Sequence, residues 1–98
     1  MADIMSIYTE KVIYWLDYHE YSRMHWSGVA KEILAEVEYH LDDAIPKLAQ
    51  VLHQFHITYQ NAVVKKDNLL YDFVEMAYEK VDWTQVAKSR YRFLEKTV

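Results

Sequence analysis

The sequence predicts an all-α protein: a small helical bundle of four or five helices in a single domain, residues 1–98, with a long central helix kinked or broken near Pro46. Two observations carry this. Glycine and proline each occur once, whereas sheet proteins need turn residues every several positions. Apolar or small residues also recur at alternating steps of three and four from Val29 to Ala62, at Ala30, Leu34, Val37, Leu41, Ala44, Leu48, Val51, Phe55, Thr58 and Ala62. That is the period of a helix laid against partner helices.

This spine is interrupted only by Pro46, which lacks an amide donor and crowds the residue before it. The apolar seam keeps its phase through the proline, so two arrangements fit. One is a single kinked helix of roughly 50 Å, at ~1.5 Å per residue. In the other, Leu41-Asp42-Asp43 closes one helix, Asp43 caps the next, and Pro46 lies in the first turn, where a missing donor costs little. The break is favoured, because aspartates suit a helix N-terminus and not a C-terminus.

The remaining elements follow in order. Asp3 can cap a first helix running to about Tyr21, with Ile4, Ile7, Tyr8, Val12, Trp15 and Leu16 on one face. Gly28 is expected to end this region, and Ser27 to cap the spine. The polar stretch from Asn61 to Asn68 predicts a turn, with Asp67 capping the next helix. That helix is expected to bury Leu70, Phe73, Val74, Ala77 and Val81 and to wet Asp72, Glu75 and Glu79. Asp82-Trp83-Thr84-Gln85 reads as a capping box. It opens a last helix to about Lys96 that buries Trp83, Val86, Ala87, Phe93 and Leu94.

Composition narrows the function classes. Hydrophobic residues make up 52% of the chain, enough for a core without covalent staples. The absence of cysteine excludes disulfides, zinc–thiolate sites and thiol catalysis, and fits a reducing compartment. No basic-then-apolar leader and no apolar run near 18 residues is present, so the expectation is a cytoplasmic protein without membrane contact. The five histidines invite a metal reading: Glu36, His40 and Asp43 share one helical side, and His53 and His56 are three apart. Carboxylate-bridged bundles, however, repeat Glu-x-x-His on different helices, and that motif is absent, so no metal and no other cofactor is expected. No nucleophile sits in a recognisable setting, and no Gly-rich loop or HExxH occurs. No catalytic residue is assigned, and the chain is not expected to be an enzyme.

What remains is binding. The stretch from Tyr14 to Trp26 is dense in aromatics, and the chain has nine tyrosines. Tyrosine and tryptophan are enriched at interface hot spots. Trp15, Tyr18 and Trp26 are therefore the candidate partner contacts of a protein-interaction module, an adaptor or regulator. The long seam further suggests a homodimer. An alternative lies in the last helix, where Lys88, Arg92 and Lys96 form a basic stripe at four-residue spacing. The string Asp82-Trp83-Thr84-Gln85-Val86-Ala87 resembles the start of the second helix of small helix-turn-helix or Myb-like domains. That resemblance implies a DNA-binding regulator, although the usual turn glycine is missing. A lesser alternative uses the acidic half. Residues 1–45 carry nine acids and three bases, a balance of −6, against +2 for residues 46–98. Asp17, Glu20, Glu32, Glu36, Glu38, Asp42 and Asp43 could stand where phosphates sit and block a nucleic-acid-binding protein.

Overall fold

A computed structural model describes the backbone of residues 6–97 and the side chains of residues 6–95. The suggested cap at Asp3 and the apolar position at Ile4 lie outside the described residues. Among the described residues five helices follow one another: α1 (Ile7–Tyr18), α2 (Glu20–Glu36), α3 (Leu41–Val63), α4 (Leu69–Glu79) and α5 (Trp83–Thr97). No strand occurs among the described residues.

Ser6 caps α1, its Oγ accepting from the Thr9 amide at 3.1 Å. The same two side chains latch α1 to the far end of the chain. Ser6 Oγ donates to the Lys80 carbonyl at 3.1 Å, and the Asp82 amide donates to Thr9 Oγ1 at 2.9 Å. Thr9 is fully buried; its hydroxyl is acceptable there because it is hydrogen-bonded.

The first corner differs from expectation. The chain turns at a single residue, His19, and not near Tyr21 or at Gly28. His19 has φ −81° and ψ 117°, extended backbone that any residue adopts, so the corner makes no demand for glycine. Gly28 and Ser27 lie inside α2.

The spine is broken, as favoured, but at residues 37–40, before the Leu41–Asp43 stretch. There the Tyr39 amide bonds the Leu34 carbonyl at 2.8 Å, and the Glu38 amide bonds the Ala35 carbonyl at 3.1 Å. These are the two bonds of a Schellman ending. Glycine is usual at its left-handed position; here Glu38 (φ 55°) and Tyr39 (φ 66°) both adopt that region. Leu41, Asp42 and Asp43 then open α3, and the two aspartates lie in its first turn, where the helix dipole favours them. Asp43 is not the cap: that position is His40, without a side-chain bond. Pro46 lies one turn further in than expected, on the exposed side of α3.

The core is built by α1, α2, α3 and α5. It holds Leu16 from α1; Trp26, Ala30 and Ile33 from α2; Ala44, Leu48 and Leu52 from α3; and Trp83, Val86, Ala87 and Tyr91 from α5. Tyr91 buries its ring and donates its hydroxyl to the Ala30 carbonyl at 2.9 Å. Burial pushes that phenol up to about 12. Asp82 caps α5 by accepting from the Gln85 amide at 3.2 Å. Phe93 and Leu94, expected in the core, are half-buried.

Helix α4 stands apart. It leans on α3 and contributes no buried residue. Asn68 caps it in place of Asp67, its Oδ1 accepting from the Leu70 amide at 2.8 Å. Tyr71 ties it to α3: its hydroxyl donates to Asn61 Oδ1 at 2.7 Å, and its carbonyl accepts from Gln60 Nε2 at 3.3 Å. Only part of the expected buried face is covered. Val74 and Ala77 are half-buried and Val81 is buried, whereas Leu70 and Phe73 are more than half exposed, because no element of the described residues lies over that side.

Candidate protein-interaction surface

The α1–α2 corner and the C-terminal half of α3 leave a groove of about 640 Å³. Trp15 from α1 and Tyr21 and His25 from α2 form one wall, Phe55 and Tyr59 from α3 the other, and Tyr78 reaches in from α4. Trp26 is the floor, only 4% exposed. Its ring lies nearly parallel to His56 (6.3 Å between centroids) and edge-on to Phe55 (5.2 Å). Among the described residues that line it, Lys11 is the only formally charged side chain.

His56 sets the chemistry of the groove base. Its Nδ1 lies 2.7 Å from the Leu52 carbonyl. A carbonyl only accepts, so Nδ1 carries the hydrogen and Nε2 is the free lone pair. Burial pushes the imidazole below its usual 6.5; the Leu52 bond works against this, and His53 adds a smaller lowering. The ring is therefore held neutral among Trp26, Tyr78 and Trp83.

Around the groove the apolar seam continues uncovered. Val51, Phe55, Tyr59 and Val63 follow one another at four-residue steps along α3, and all four are exposed. Leu69, Leu70, Phe73 and Met76 of α4 are each more than half exposed. Ile7, Tyr14, Tyr18, Tyr21 and Met24 add exposed apolar area on α1 and α2. Scattered surface hydrophobes need no explanation, but rows of them along consecutive helices mark interaction sites.

Of the three residues singled out in the sequence, Trp15 and Trp26 meet in this groove. Trp15 is a wall residue, 57% exposed, and Trp26 belongs to the core with one face on the groove. Tyr18 is 67% exposed but lies outside it, stacked on Tyr14 at 5.0 Å. Sequence reasoning did not single out Tyr21, Phe55 or Tyr59 as site residues. Their signal was present, in the aromatic run of α1–α2 and the four-residue step of the seam, but periodicity does not say which end of a seam is left uncovered.

The basic stripe is only partly described. Lys88 and Arg92 are exposed; the Lys96 side chain lies outside the described residues. Arg90, between them in sequence, is buried and ion-paired with Asp17. It donates from Nη1 to Ser27 Oγ at 3.1 Å, and its guanidinium lies 4.8 Å from the Phe93 ring centroid. Asp17 is thereby engaged inside the fold, while Glu20, Glu32, Glu36, Glu38, Asp42 and Asp43 face solvent. Glu36, His40 and Asp43 line one shallow surface depression. Among the described residues, no group of three or more His, Asp or Glu is arranged to hold a metal ion. No helix of the described residues is long and apolar enough to cross a membrane.

Comparison with protein-family models, with curated proteins and with solved structures finds no match to this chain.

Proposed function

We propose that this chain is a non-catalytic, cytoplasmic protein-interaction module that acts as a homodimer through the apolar surface around the aromatic groove. One observation carries the reading. The face of α3 buried at Ala44, Leu48 and Leu52 runs on through Val51, Phe55, Tyr59 and Val63, which are 41–59% exposed. Apolar surface contributes roughly 25 cal/mol per Å² when removed from water, so a second copy is the simplest cover for a face of this size. Exposed Trp15 and Tyr21 beside it are the residue types that dominate interface energetics.

Sedimentation equilibrium at micromolar concentration tests this directly. The module should be a dimer, and Phe55→Glu with Tyr59→Glu, both at exposed positions, should make it monomeric without loss of helix. A wild-type chain that stays monomeric throughout the accessible concentration range would refute self-association.

A further inference from the structure

We infer that the aromatic groove is filled, in the homodimer, by helix α4 of a second copy, which enters with Leu69, Phe73 and Met76. This deepens the homodimer reading and rests on it.

Three features of α4 suit it to the role. It has eleven residues, yet buries none. Leu69, Phe73 and Met76 fall at i, i+4 and i+7, the stripe by which an amphipathic helix lies in a hydrophobic groove. Asp72 and Glu79 fall on the flank next to that stripe, so a helix seated in a groove would bring carboxylates to its rim.

The groove supplies the complement. Its walls are rings, which receive leucine, phenylalanine and the polarizable thioether of methionine well. Lys11, in its lining, is positive and exposed, opposite in sign to the acidic flank of α4. Tyr78, on α4 itself, lines the same groove and lies 5.6 Å from the His56 ring. Tyr78 falls on the side of α4 opposite Leu69, Phe73 and Met76, so α4 borders its own groove and turns the stripe away from it. A two-fold pairing in which each copy lays that outward stripe in the other's groove gives a closed pair with no open end.

The test is the dimer dissociation constant, measured by sedimentation equilibrium on the full chain, with circular dichroism confirming helix content. Phe73→Glu with Met76→Glu, at exposed positions that leave the core untouched, should raise it at least about 30-fold, as expected for buried anchors. On the groove side, Tyr21→Ala should raise it about tenfold or more. Lys11→Glu should raise it about threefold to tenfold, and adding Asp72→Lys and Glu79→Lys to Lys11→Glu should restore most of the loss. The fluorescence of Trp15, the exposed tryptophan of the groove wall, should shift to the blue as the dimer forms.

A dimer indifferent to the α4 variant overturns this inference and leaves the homodimer reading standing, with α1 and α3 as its interface. A dimer weakened by the α4 variant but indifferent to Tyr21→Ala and Lys11→Glu also overturns it, since α4 would then be meeting α4. A wild-type monomer overturns both.

Discussion

Asp17→Ala should be among the most damaging single changes to this fold, although Asp17 is not a core residue. Its carboxylate is ion-paired with the guanidinium of Arg90, whose side chain is 2% exposed against 34% for Asp17. Removing one partner of a buried pair leaves an uncompensated charge, at a cost of about 3–5 kcal/mol. Here Asp17 is one-third exposed, so water reaches its place. Ser27 Oγ and the Phe93 ring also remain beside the guanidinium. Both facts move the expectation toward about 2.5 kcal/mol, a fall in Tm of roughly 10–20 °C for a domain of this length. Arg90 itself is held below its usual range by burial, so the charge is already disfavoured and the fold depends on its partner. Replacing the cation by an apolar side chain of similar length should therefore hurt less. Arg90→Met should cost under about 1.5 kcal/mol, and combined with Asp17→Ala it should recover much of the loss. Urea unfolding followed by far-ultraviolet circular dichroism, at one fixed protein concentration, measures all three variants. An Asp17→Ala cost below about 0.5 kcal/mol, within the range of an ordinary surface substitution, would refute the reasoning.

Three further changes follow from the backbone and the groove. Gly28 lies inside α2 with nothing within 4 Å of an added Cβ, so Gly28→Ala should stabilise by about 1 kcal/mol, read as a higher urea midpoint. Glu38→Gly should stabilise by up to about 1 kcal/mol, because Glu38 occupies the left-handed position of a Schellman ending that glycine adopts without a steric penalty; an unchanged midpoint would count against the left-handed assignment. His56 is held below its unfolded pKa of 6.5, so below that value the unfolded chain binds the proton first. Its contribution to stability is then complete above about pH 6.5 and is lost as the pH falls, by at most about 1.4 kcal/mol per pH unit. His56→Phe should flatten this part of the stability–pH profile relative to wild type, and an identical slope would contradict the burial of the neutral ring.

Much of the architecture was legible because helices advertise themselves by period. The seam at Ala30, Ala44 and Leu48, the Asp82 cap of α5 and the buried set Trp83, Val86 and Ala87 all rest on local geometry, whereas the return half of the expected capping box does not form, because the Asp82 amide donates to Thr9 Oγ1. The misplacements share one physical origin: the punctuation residues do not sit where punctuation is needed. The sole glycine lies in mid-helix, while Glu38 and Tyr39 take the left-handed turn, held by bonds to Ala35 and Leu34. Propensity was overruled there by the packing of α2 and α3 on either side. Arg90 lies off the Lys88, Arg92 and Lys96 stripe, and spacing along α5 does not say that it is buried. Its burial depends on Asp17 and Ser27, 73 and 63 residues earlier. The groove was visible only in outline. Trp15 and Trp26 belong to it, but the exposure of Phe55 and Tyr59 follows from α4 being too lightly docked to cover them, and that of Phe73 from its place on the side of α4 away from α3; no local pattern encodes that.

The central claim is that the uncovered seam is an assembly surface, and the mass of the chain in solution tests it most directly. Light scattering behind a sizing column, at low and high salt, should give a dimer that persists in high salt, because burial of apolar surface is not screened. A compact monomer under both conditions would contradict the claim, and a dimer that dissociates in high salt would replace the seam with a contact between the acidic and basic halves of the chain.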